Sequence, residues 1–178
     1  MKSVPAKNIK TARRAGKVLV LGVGNILLSD EGVGVRAIEA LRKKYRLPGN
    51  VRCVDGGTMG LSLLDLLKAF THVIIVDAVV PMGSPGRIHR FSWDGIPKGG
   101  PPALKTTVHQ IGVSELLMLA RFEGTRPKVR IIGIEPVDLN PGTSLSPLIE
   151  KRLPLFVRAL GREVGRLASP LTEKRRRA

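Results

Sequence analysis

The run Lys17-Val-Leu-Val-Leu-Gly-Val23 passes through Gly24-Asn-Ile-Leu-Leu-Ser29 into Asp30-Glu-Gly-Val-Gly-Val-Arg-Ala-Ile-Glu-Ala-Leu-Arg-Lys-Lys-Tyr45. Its first part is apolar almost without a break, which suits a strand buried on both faces. The last part carries an apolar stripe of Val33, Ala37, Ile38 and Leu41, with Arg36, Glu39, Arg42 and Lys43 mostly off it. That is the spacing of an amphipathic helix over Asp30–Tyr45. A doubly buried strand followed at once by such a helix places the chain in the α/β class.

The same alternation continues outward. Pro48 and Gly49 stop the chain, Val51–Asp55 reads as a second strand, and Gly56-Gly57-Thr58 turns into a helix over Gly60–Phe70. Val73–Val80 is strongly β-branched and therefore a central strand. Arg87–Trp93 follows after Pro81–Gly86, too few residues for a crossover helix. The third and fourth strands should therefore pair antiparallel or sit in different layers. A Gly/Pro-rich loop, Gly95–Pro102, leads to a helix from about His109 to Arg121, a fifth strand at Lys128–Ile134 and a closing helix at Leu145–Leu167. The expected architecture is a three-layer α/β/α fold with a mixed five-stranded sheet, in one domain over residues 17–168.

Charge is the loudest feature of the composition. Thirty Lys and Arg against 14 Asp and Glu give +16 in 178 residues, which suggests nucleic acid or an acidic membrane surface. Its distribution argues otherwise. Residues 1–17 hold six basic residues and no acid, and residues 151–178 hold nine basic and two acidic ones. Residues 18–150 are nearly balanced. Residues 1–16 read as a basic, mobile extension and 169–178 as a basic tail, both solvated. Six aromatics are few for base stacking, so no specific nucleic-acid partner is expected. The first 17 residues lack the apolar core of a secretory signal, and no apolar run is long enough to span a bilayer. A single cysteine excludes a disulfide framework. These features lead us to expect a soluble, cytoplasmic protein with no membrane partner, monomeric by default.

Open α/β sheets bind ligands beyond the carboxyl ends of their strands. That rule nominates the loops 24–31, 55–60, 77–86 and 134–144, which carry Asn25, Asp30, Glu31, Asp55, Thr58, Asp77, Glu135 and Asp138. His109, at the start of a helix, can face the same edge. Taken singly, each has an ordinary explanation. Asp30 or Glu31 at a helix start suits the macrodipole, and Asp55 and Asp77 at strand ends suit turn capping. Cys53 reads as a buried structural thiol, and His72 and His89 have nothing nearby to recruit them. Gly22-Val23-Gly24-Asn25 invites a dinucleotide-binding reading, but Leu27 replaces the third glycine and the following carboxylates would repel a phosphate. Together, Glu31, Asp77 and His109 supply two oxygens and a nitrogen able to hold a divalent transition metal with open positions. Spacing alone does not bring them together.

The segment Val20–Val35 closely resembles the opening motif of the nickel-iron hydrogenase maturation proteases. Asp55-Gly-Gly-Thr58, Ile75-Val-Asp77-Ala78, His109-Gln-Ile-Gly112 and the turn Gly133-Ile-Glu-Pro136 follow in the family's order. The resemblance covers about residues 17–165 and implies a twisted five-stranded sheet. It implies an endopeptidase that removes a C-terminal extension from the hydrogenase large-subunit precursor after nickel insertion. It also implies that Glu31, Asp77 and His109 are metal ligands. Nickel would come with the substrate, held by its cysteines, and other divalent metals could substitute in the isolated protein. Glu31, Asp77 and Asp55 are the candidates for the hydrolytic roles. Val108 stands before His109 where many family members have Ser-Pro.

Two other readings make different demands. A basic peptidyl-tRNA hydrolase-like esterase shares an early Gly-Asn motif and would use the positive charge directly. A non-catalytic docking or chaperone protein would bind the nickel-loaded subunit without cutting it.

Overall fold

A computed structural model describes residues 16–57, 60–79, 83–93, 113–168 and 171–174. Strand β1 (Val18–Val23) leads through a 3-10 turn at Ser29–Gly32 into helix α1 (Val33–Lys44). Next come β2 (Tyr45–Arg46), β3 (Val51–Gly57), a 3-10 turn at Gly60–Leu63, α2 (Leu64–Lys68) and β4 (His72–Ala78). The chain continues through β5 (Ile88–Trp93), α3 (Val113–Phe122), β6 (Lys128–Ile134), α4 (Pro147–Leu167) and β7 (Thr172–Glu173).

The main sheet has the order β3-β1-β4-β6-β5. Its first four members run parallel and β5 runs antiparallel to β6. The apolar runs owe their continuity to burial on both faces. Val18, Val20, Ile74, Val76, Ile132 and Ile134 pack toward Ala37, Ile38 and Leu41 of α1 and Phe156, Leu160 and Val164 of α4. Their strand neighbours Leu19, Leu21, Val73, Ile75, Val129 and Ile131 pack toward Leu67 of α2 and Leu116, Leu117 and Ala120 of α3. The result is the expected three-layer α/β/α arrangement with a mixed five-stranded sheet.

Several boundaries differ from expectation, each for a local reason. The opening helix becomes α-helical only at Val33, because Ser29–Gly32 forms a tighter turn and Ser29 takes a positive φ of 45°. The Gly60–Phe70 helix is likewise split between a 3-10 turn and a short α2. Helix α4 starts at Pro147 rather than Leu145, since proline suits the first helical position and Ser146 is extended. The expected start of α3 at His109 lies outside the described residues.

The larger correction concerns β4 and β5. They neither pair with each other nor lie in separate layers: β6 sits between them in the same sheet. The tail also contributes structure. Thr172–Glu173 pairs antiparallel with Tyr45–Arg46, Lys174 donates from its backbone to Lys44 and from its ammonium to Arg42, and Glu173 pairs with Lys44.

Candidate active site

The carboxyl ends of β1, β3, β4 and β6 share one edge, where the loop after β1 meets the loop after β6. Leu28 and Gly142 form a bridge, with Ser29 N–H donating to Gly142 and Gly142 N–H donating to Leu27. Asp30 closes this junction. It is fully buried, and its carboxylate accepts from the backbone N–H groups of Val137, Asp138 and Ser146 and from the Ser146 hydroxyl, at 2.7–3.0 Å. Asp30 is thus the staple between two loops.

Its neighbour Glu31 is also buried, at 5% exposure, and burial pushes its carboxyl pKa up. Asp77, at the end of β4, is fully buried. Gly24 brings these two segments together. Its φ is +118°, and a Cβ there would lie 1.8 Å from the Glu31 carbonyl oxygen and 3.7 Å from Asp77 Oδ1. Gly34 allows a similar approach, because a Cβ would meet the carbonyl oxygens of Val76 and Val23 at 2.2 and 2.3 Å. Gly24, part of the failed dinucleotide motif, and Gly34 therefore let the start of α1 sit on the ends of β1 and β4.

Asp55 stands apart. By strand alternation it shares the α1/α4 face with Val51 and Cys53, whereas Asp77 shares the α2/α3 face with Val73 and Ile75. The Asp55 carboxylate is exposed and accepts the Gly57 N–H at 2.9 Å, closing its own turn. Thr58 and His109 lie outside the described residues. Helix α3 precedes β6, a strand parallel to the others, so α3 starts at the same edge as Glu31 and Asp77. Among the described residues, no three His, Cys, Asp or Glu side chains cluster as a metal site. Burial pushes the pKa of the half-buried Cys53 thiol up to about 11, with nearby Arg42 pulling the other way.

One grouping escaped the reading of the sequence. His89 does have a partner: its Nε2 lies 2.6 Å from Oε1 of fully buried Glu135, whose Oε2 accepts the Ser84 N–H at 2.8 Å. The Glu135 backbone also accepts from Gly86 and donates to Arg87. This clamp holds the return of the chain after β4 against the end of β6. The two residues are 46 positions apart, so only the presence of a Glu at the strand's carboxyl end hinted at it.

Known proteins agree with this geometry. Residues 35–163 match the family described as hydrogenase maturation protease. The hydrogenase 2 maturation protease of Escherichia coli is 41% identical over 139 residues, covering 75% of this chain and 82% of that protein. The hydrogenase expression/formation protein HupD of Bradyrhizobium diazoefficiens is 37% identical, covering 93% and 91%. HupD of Thiocapsa roseopersicina is 41% identical over 77% of this chain, which spans 62% of that longer protein. The hydrogenase maturating endopeptidase HybD from E. coli superposes with a TM-score of 0.76 at 34% identity, covering 90% of this chain and 98% of HybD. With a family match across most of the folded core, the chain belongs to the hydrogenase maturation protease family.

Proposed function

We propose that this protein is the endopeptidase that removes the C-terminal extension of a nickel-iron hydrogenase large-subunit precursor, with the inserted nickel as the recognition element. The observation that carries this reading is the burial of two carboxylates, Glu31 and Asp77, in segments that meet at Gly24 on the carboxyl edge of the sheet. Two carboxylates on one buried edge offer oxygen donors to a cation delivered by the substrate, which favours a loaded precursor over an empty one.

In this reading Glu31 and Asp77 are hard oxygen donors for the precursor's nickel, and His109 supplies the nitrogen. An incomplete donor set suits a metal already held by the substrate's own ligands. Once the precursor is docked, Glu31 or Asp77 takes the proton of the attacking water. Asp55 shapes the turn after β3 and remains the third candidate to assist the attacking water. Membership in the family leaves the peptidyl-tRNA hydrolase reading without support.

The test is the mass of the purified large-subunit precursor after incubation with this protein, with and without inserted nickel. Loss of the C-terminal extension from the nickel-loaded form alone is the expected result. Equal cleavage of both forms removes the nickel checkpoint, and binding without any mass change makes the protein a docking factor. Asp77→Asn and Glu31→Gln should each lower processing by at least about a hundredfold while leaving the circular dichroism spectrum intact.

A further inference from the structure

The two carboxylates account for the acidic edge but not for the charge carried on α4. Arg158, Arg162 and Arg166 stand four residues apart, so they line up along one side of that helix, with Lys151 on the same side nearer its start. All four are exposed. Among the described residues no carboxylate pairs with Lys151, Arg158 or Arg162. Like charges four apart weaken a helix, so folding does not explain the stripe.

At its far end the stripe meets an open groove of about 340 Å³ between α4 and the β5–β6 edge, which Arg90 and Arg130 also line. Glu163 sits in the groove at 8% exposure and approaches Arg166 at 3.2 Å and Arg130 at 3.9 Å. It thereby holds the Arg166 guanidinium in place, while Arg130, which also donates to the Ser92 hydroxyl, lines the groove beside it. The near end lies at the catalytic edge, since α4 begins just after Ser146, which Asp30 holds. From Lys151 to Arg166 the track is roughly 22 Å long.

We propose that this face of α4 is a docking surface for an acidic face of the large-subunit precursor, set beside the catalytic edge and separate from it. The inference rests on reading the chain as the precursor's protease. Guanidinium groups pair with carboxylates in two-pronged fashion, and a row of them suits an acidic protein surface. A lipid surface fits less well, because the large apolar side chains Phe156, Val157, Leu160 and Val164 of α4 are buried in the core, which leaves on the cationic side Leu148 and half-buried Leu155 against four cations. A single-stranded nucleic acid would need exposed aromatic platforms, and Phe91 in the groove already stacks on His89.

The test uses full-length protein carrying Arg158→Glu and Arg162→Glu, two exposed positions. Steady-state cleavage of nickel-loaded precursor is measured at low and high salt. The expected result is a KM raised roughly tenfold at low salt, with kcat unchanged and the salt dependence of KM largely lost. Arg158→Lys with Arg162→Lys keeps the charge but not the two-pronged pairing, so it should recover the salt dependence and leave KM raised by only about twofold. A KM and salt dependence equal to wild type overturn the proposal, as does a fall in kcat alone. If wild-type protein leaves the precursor uncut, the protease reading fails, and equilibrium binding of the precursor to the wild-type protein still decides the surface. Charge reversal should weaken that binding. Unchanged precursor binding with weakened binding to tRNA or to phosphatidylserine vesicles would reassign the surface.

Discussion

Asp30 and Glu31 are adjacent carboxylates at one helix start, and the structure gives them opposite tasks. Asp30 accepts four hydrogen bonds and joins loops more than a hundred residues apart in sequence. Removing it takes the acceptor from three backbone N–H groups and a hydroxyl at a part-buried junction. Asp30→Ala should therefore lower the unfolding free energy by about 3 kcal/mol, read by urea titration. A loss below about 1 kcal/mol would mean that water replaces the carboxylate. Glu31 has the reverse signature. Its pKa is raised by burial, so the folded state of the metal-free protein holds that proton more tightly than the unfolded state does. Stability from this group is greatest below the ordinary value of 4.5, falls as pH rises from there through the raised value, and then stays level. Glu31→Gln should flatten that decline and melt higher than wild type at neutral pH, although it no longer processes precursor. Both residues look alike in sequence, because a macrodipole favours either. What separates them is a set of partners at positions 137, 138 and 146 that no local pattern reveals.

Elements were legible where burial alone decides them. The β-branched run ending in Asp77 and the strand at Lys128–Ile134 occur where their composition places them, because strands inside a covered parallel sheet must be apolar on both sides. Their neighbours were not legible. The link from β4 to β5 is too short for a helix, which correctly turns β5 antiparallel. Yet the nine residues between Ala78 and Ile88 can span up to about 30 Å, ample to step over a strand spaced about 5 Å away. Periodicity carries no information about that choice; it was settled by β6 fitting between β4 and β5. The same limit hid β7, whose two residues show no pattern of their own. Leu171 packs against the core beside it, and Lys174 and Glu173 hold the end of α1. Deleting residues 169–178 should cost roughly 1–2 kcal/mol and lower Tm by about 3–6 °C. An unchanged melting curve would make the β2–β7 pair a surface ornament.

Taken as a whole molecule, the chain separates its charge by task. Among the described residues, four of the five buried carboxylates, at positions 30, 31, 77 and 135, gather at the carboxyl edge, and the fifth, Glu163, lies on α4. Its cations are spread more widely, along the outer side of α4 and near the β5 edge, but also in the last turns of α1, α2 and α3 and in the terminal segments of the sequence. Net charge of +16 over 178 residues also acts on stability directly, because like charges repel more in the compact state than in the expanded chain. Seven described ion pairs, several of them half exposed, add little that salt could weaken. Repulsion should therefore dominate the response to ionic strength. Raising sodium chloride from about 10 mM to about 300 mM shortens the screening length from roughly 30 Å to below 10 Å. Tm by scanning calorimetry should rise by about 2–4 °C over that range, equivalent to about 1 kcal/mol for a domain of this size. In the Arg158→Glu, Arg162→Glu protein the net charge falls by four, and the same salt increment should produce a smaller rise. A Tm that falls with salt would show that attractive pairs, not the cation excess, set the electrostatic balance of the fold.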